Sequence, residues 1–119
     1  MVSMEFKRWQ LKDVIADDEK MAYAIEFAES VRTQLRYLNA RQRTLIFASI
    51  EKQLVHQPLA ETINRKFLRP NPIALWELHI GNLRVFYEVT ADEPDVVKIL
   101  AIGQKKGNKL FIAEKEVKL

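Results

Sequence analysis

The chain has 119 residues, 48% hydrophobic and 29% charged, with 19 Lys+Arg against 16 Asp+Glu and a net charge of +3. That is the length of one domain, with enough apolar surface to offset chain entropy, which excludes disorder throughout. No apolar run is long enough to span a bilayer, the first twenty residues are too acidic for a secretory leader, and cysteine is absent, so disulfides, thiol catalysis and thiolate metal sites drop out. The expectation is a cytoplasmic protein with no membrane partner.

Residues 1–20 differ from the rest: they carry four basic and five acidic side chains, net −1, against +4 for residues 21–119. They hold Trp9, a weakly amphipathic stretch around Leu11, Val14 and Ile15, and the acidic run Asp17-Asp18-Glu19. Met21 then reads like a fresh beginning. The division expected is an N-terminal extension over 1–20 and a domain over 21–119, with 1–20 equally readable as a helix packed on that domain.

Tyr23, Ile25 and Phe27 alternate with Ala24, Glu26 and Ala28, the pattern of a half-buried strand. Ser30 is a plausible N-cap for a helix whose Val31, Leu35 and Leu38 share one face. Asn39 interrupts it. A second helix from Ala40 to about Gln57 turns Ile46, Phe47, Ile50, Leu54 and Val55 inward and stops at Pro58. The two should form an antiparallel hairpin. Residues 58–72 hold three of the four prolines and read as an irregular connection.

The period then changes to two. Residues 76–80 and 83–89 alternate, and Gly81-Asn82 between them is a hairpin signal. That turn would pair Ile80 with Leu83, His79 with Arg84, Leu78 with Val85, Glu77 with Phe86 and Trp76 with Tyr87. Val96–Ile102 is apolar enough for a strand buried on both faces, and residues 103–109 read as a basic, glycine-bearing loop. The order is β-α-α-β-β-β. The fold class expected is α+β, a helical hairpin packed on a small, mainly antiparallel sheet.

On this pairing Glu77, His79, Arg84, Phe86 and Glu88 share the face away from the helices, and Lys98 on the next strand can join them. Lys105, Lys106, Asn108 and Lys109 leave the end of that strand, and Asn64, Arg65 and Lys66 enter just before the sheet. Arginine, lysine and a glycine-bearing loop suit a phosphate. The same residues also fit the solvated face of a one-sided sheet, with His79 and Arg84 an ordinary polar pair. Neither His56 nor His79 has metal-ligand spacing, and no serine lies in a Gly-x-Ser-x-Gly setting, so no metal and no cofactor are expected.

The stretch Trp76-Glu-Leu-His-Ile-Gly-Asn-Leu-Arg-Val-Phe-Tyr-Glu-Val89, followed by Val97-Lys-Ile-Leu-Ala-Ile-Gly-Gln-Lys-Lys-Gly-Asn-Lys-Leu-Phe111, resembles the C-terminal half of RelE/ParE-superfamily toxins of bacterial type II toxin–antitoxin systems. The resemblance covers about residues 21–112 and includes the β-α-α-β-β-β order. It implies a toxin with a cognate antitoxin as partner, reaching operator DNA only through that antitoxin. RelE-like members cut mRNA on the ribosome without metal, inhibiting translation, with the RNA 2′-hydroxyl as nucleophile. By that likeness Arg84 would stabilise the phosphorane-like transition state, and Lys105 or Lys106 would contact the phosphate or leaving group. Arg65, Lys66, Lys98, Asn108 and Lys109 would bind RNA.

Departures from the pattern bear on the acid and base. RelE has lysines where this chain has Glu77 and His79, and its C-terminal tyrosine falls near Phe111. His79, with an ordinary pKa of about 6.5, could take either role, with Glu77 or Glu88 as carboxylate partner. Two alternatives stand beside the endoribonuclease: a ParE-like, non-hydrolytic toxin that binds DNA gyrase, and an inactive member that only binds antitoxin. A basic open face and a lysine-rich loop favour RNA.

Overall fold

The computed structural model describes residues 22–119; the expected extension over 1–20 lies outside them. In chain order the elements are β1 (Ala24–Phe27), α1 (Glu29–Leu35), α2 (Ala40–Leu54), β2 (Arg65–Phe67), β3 (Trp76–Ile80), β4 (Leu83–Thr90), β5 (Glu93–Lys106), β6 (Lys109–Ile112) and β7 (Lys115–Val117). This is an α+β fold, two helices on a mostly antiparallel open sheet. Strand order is β2-β3-β4-β5-β6-β7, and β1 joins β5 as the parallel pair, Ala24 opposite Val96 through Phe27 opposite Ile99.

The helices start and stop for local reasons. Glu29 opens α1 directly after Ala28 with no side-chain cap, so Ser30 lies inside the helix and not at its cap. Asn39, which read as a break, caps α2: its side chain accepts from the Gln42 N–H at 2.8 Å and the Gln42 side chain accepts from the Asn39 N–H at 3.0 Å. The Arg43 guanidinium donates to the carbonyls of Leu35 and Leu38, placing a cation at the end of α1. At Leu54 α2 ends, short of Pro58, which is itself buried and accepts a 2.6 Å hydrogen bond from the Tyr87 hydroxyl.

All five expected pairs of the β3–β4 hairpin are present. Gly81 supplies the turn with φ of 60°, which a side chain would resist. Under the helices, Val31, Ile46, Ile50, Leu54, Leu78, Val85, Tyr87, Val97, Ile99 and Ile102 form one core. Phe47, expected inside, stands 43% exposed beside Phe27. β5 runs past the end of β1, and the unpaired Ile102 N–H donates to the Gln34 side chain of α1 at 2.8 Å. One amide thus fills the gap between β1 and β6 along the same edge.

Three corrections concern the sheet. The connection is not wholly irregular, because Arg65–Phe67 pairs with β3 as β2. Residues 103–109 are not a loop: β5 continues to Lys106, Gly107-Asn108 turns the chain, and β6 returns along it. The second face is not open. Phe86 is 0% exposed there, covered by Ala74, Ala101 and Leu110 and flanked by Leu68, Ile73, Leu100, Ile112 and Val117. Gly103 makes that cover possible, since a Cβ there would meet the Phe111 carbonyl oxygen at 2.7 Å and the Ile112 side chain at 2.9 Å.

Candidate functional site

Among the described residues, a cleft of about 500 Å³ opens on the second face between residues 68–71 and the β6–β7 arm. Glu77, Lys105 and Lys109 line it from strands, with Arg69 and Lys118 from the surrounding segments. Asn71 stiffens one wall: its side chain accepts from the Ile73 and Ala74 N–H groups and donates to the Arg69 and Ala74 carbonyls, all within 3.1 Å. Glu77 is only 7% exposed and is hydrogen-bonded to His79 Nε2. A carboxylate hydrogen-bonded to a ring nitrogen fixes the orientation of the imidazole.

The expected site residues separate into three groups. Lys105, Asn108 and Lys109 line the cleft with Glu77, and His79 reaches it through Glu77. Lys66 is exposed across β2–β3 from Glu77. Lys98 lies seven residues back along β5 from Lys105, roughly 20 Å away at strand rise. Its ammonium is paired with Glu93 at 2.6 Å, and that hydrogen bond raises its pKa.

Arg65, Lys106 and Arg84 are placed otherwise. Arg65 is 7% exposed on the helix side, donating to the Ala60 carbonyl at 2.9 Å, the Gln53 carbonyl at 3.1 Å and the Gln53 side chain at 2.7 Å. It ties the connection to the end of α2. Lys106 faces away from Lys105, over the Phe111 ring at 5.1 Å. Arg84 turns its guanidinium back onto its own hairpin, donating to Gly81 O at 2.8 Å and Leu83 O at 2.9 Å. Its Nε is buried without a partner.

Arg69 and Lys118 belong to the cleft and were missed from sequence. The alternation Leu110, Ile112 after Gly107-Asn108 was the available signal for a returning strand, and it would have brought the C-terminal lysine into reach. Among the described residues no group of three His, Asp or Glu side chains could hold a metal ion.

The family model described as the ParE toxin of the type II toxin-antitoxin system parDE matches residues 22–108, from the residue after Met21 to the β5–β6 turn. The chain belongs to the ParE toxin family. No curated protein matches it. Membership makes it the toxin half of a toxin–antitoxin pair within the RelE/ParE superfamily and implies a cognate antitoxin. The ParE match stops at Asn108, so β6 and β7, which cover the second face and wall the cleft, lie past it.

Proposed function

We propose that this ParE-family toxin acts by binding DNA gyrase and leaves RNA uncut. The observation that carries this reading is the disposition of the residues that RNA chemistry would need. Arg84, the candidate for transition-state charge, is spent on two backbone carbonyls, and Arg65 is buried in hydrogen bonds to the end of α2. Lys98 is ion-paired far from Lys105, and Phe86 and the β6–β7 arm fill the flat face on which an RNA strand would lie. The family matched is the one described by ParE. The test is a supercoiling assay with purified gyrase. A stoichiometric excess of toxin should leave the plasmid relaxed; full supercoiling would overturn the proposal.

One observation favours the endoribonuclease as a second reading. The Glu77–His79 pair stands beside Lys105 in a cleft rimmed by Arg69, Lys109 and Lys118, a set that could hold a phosphate and move a proton. Mapping transcript 5′ ends after brief expression decides it: new ends at defined codons support cleavage, and an unchanged pattern removes it.

A further inference from the structure

On the far side of the molecule from the cleft, Phe27, Val31, Leu35 and Phe47 line an apolar groove of about 300 Å³ between β1 and the helical hairpin. Phe27 and Phe47 are each 43% exposed and meet edge to face at 5.8 Å. Two large aromatics half in water on adjacent elements are a costly surface to leave bare. The groove runs into a depression lined by Arg32, Arg36 and Arg43, with Arg32 and Leu35 common to both. Glu29 is the acidic side chain in that lining. The surface is therefore an apolar trough with a basic end.

We propose that residues 9–19 of this same chain seat on it, Trp9, Leu11, Val14 and Ile15 in the trough and Asp17-Asp18-Glu19 against Arg32 and Arg36. The segment has the complementary order of apolar and acidic residues, and it joins the domain at Ala22, immediately before β1. From Ala22 to Phe27 is five residues, at most roughly 17 Å. Residues 16–21 can span up to about 20 Å, enough to bring Ile15 back to Phe27. Tethering puts the segment at about millimolar effective concentration, so a contact of about 100 µM affinity would keep the groove covered roughly ten to one. The proposal holds for either mode of toxin action, since it concerns a surface away from the cleft.

The chain has no cysteine and two tryptophans, Trp9 and the buried Trp76, which makes a direct test available. A short-range quencher attached to Glu29→Cys of the full chain, an exposed position lining the groove, should cut Trp9 emission more than twofold, with the Trp9→Phe chain as background. The same label at Lys115→Cys, on β7, should leave it unchanged. Adding Phe47→Asp, at an exposed position, should restore the emission. Equal quenching from both label sites, or quenching that survives Phe47→Asp, would overturn the proposal. Quenching that grows with protein concentration would also overturn it, because it would assign the groove to a second copy.

Discussion

The two faces of the sheet differ in how they are covered. The helix face is sealed by α1 and α2, whose apolar residues recur at helical spacing and meet strands of period two. The second face is sealed at one end by residues 68–74 and by the β6–β7 arm, short pieces with no comparable periodicity. Where the arm leaves off, the cleft begins. The comparison teaches that a strand's polar-looking side need not be a working surface: Phe86 is as deeply buried as Tyr87, one residue on and facing the other way.

Phe86→Ala breaks the comparison most severely if the second face is a true core. We expect a loss of about 3–5 kcal/mol, similar to a large-to-small change at Leu78 under the helices. Urea unfolding measures it, and a loss near zero would return Phe86 to a solvated surface. Gly103→Ala is next. With the Phe111 carbonyl and the Ile112 side chain inside normal contact distance of the new Cβ, a loss of about 1–3 kcal/mol is expected. Amide exchange should show β6 and β7 losing protection first, while α2 keeps its own.

Tyr87→Phe sharpens the helix side with a smaller effect. Burial pushes the Tyr87 phenol well above its ordinary range, with Arg65 pulling slightly the other way. A neutral native phenol against an unfolded one that ionises near pH 10 stabilises the fold below that pH, and the advantage is lost as pH rises past it. Removing the hydroxyl also leaves the Pro58 carbonyl without its donor. The expected outcome is about 1–2 kcal/mol lost at neutral pH, with a shallower decline above about pH 10 than the parent shows.

The β3–β4 register was legible because Gly81-Asn82 permits one tight pairing and alternation then assigns every side chain. The core face of α2 was legible at Ile46, Ile50 and Leu54 for the same kind of reason, a clear period. Three residues, Arg65-Lys66-Phe67, are too few to show a period, so β2 was hidden in a proline-rich stretch. Gly103 and the lysine pair disguised the end of β5, although the glycine is there for close packing and not for a turn. The cleft was half legible: Lys105, Asn108 and Lys109 were found, but nothing in local pattern says that Arg84 bonds its own turn or that Arg65 points inward. Side-chain destinations of long cations depend on which carbonyls the fold leaves bare.

The central claim is that toxicity does not run through the residues of an RNA-cutting site. Growth arrest by the His79→Ala, Arg84→Ala double variant tests it most directly, with circular dichroism confirming the fold. Both side chains are partly exposed on the second face, so their loss opens no core cavity. Arrest equal to that of the parent chain is the result expected. Survival of cells expressing the folded double variant would contradict it, because removing one transition-state charge alone costs roughly 10²–10³ in rate.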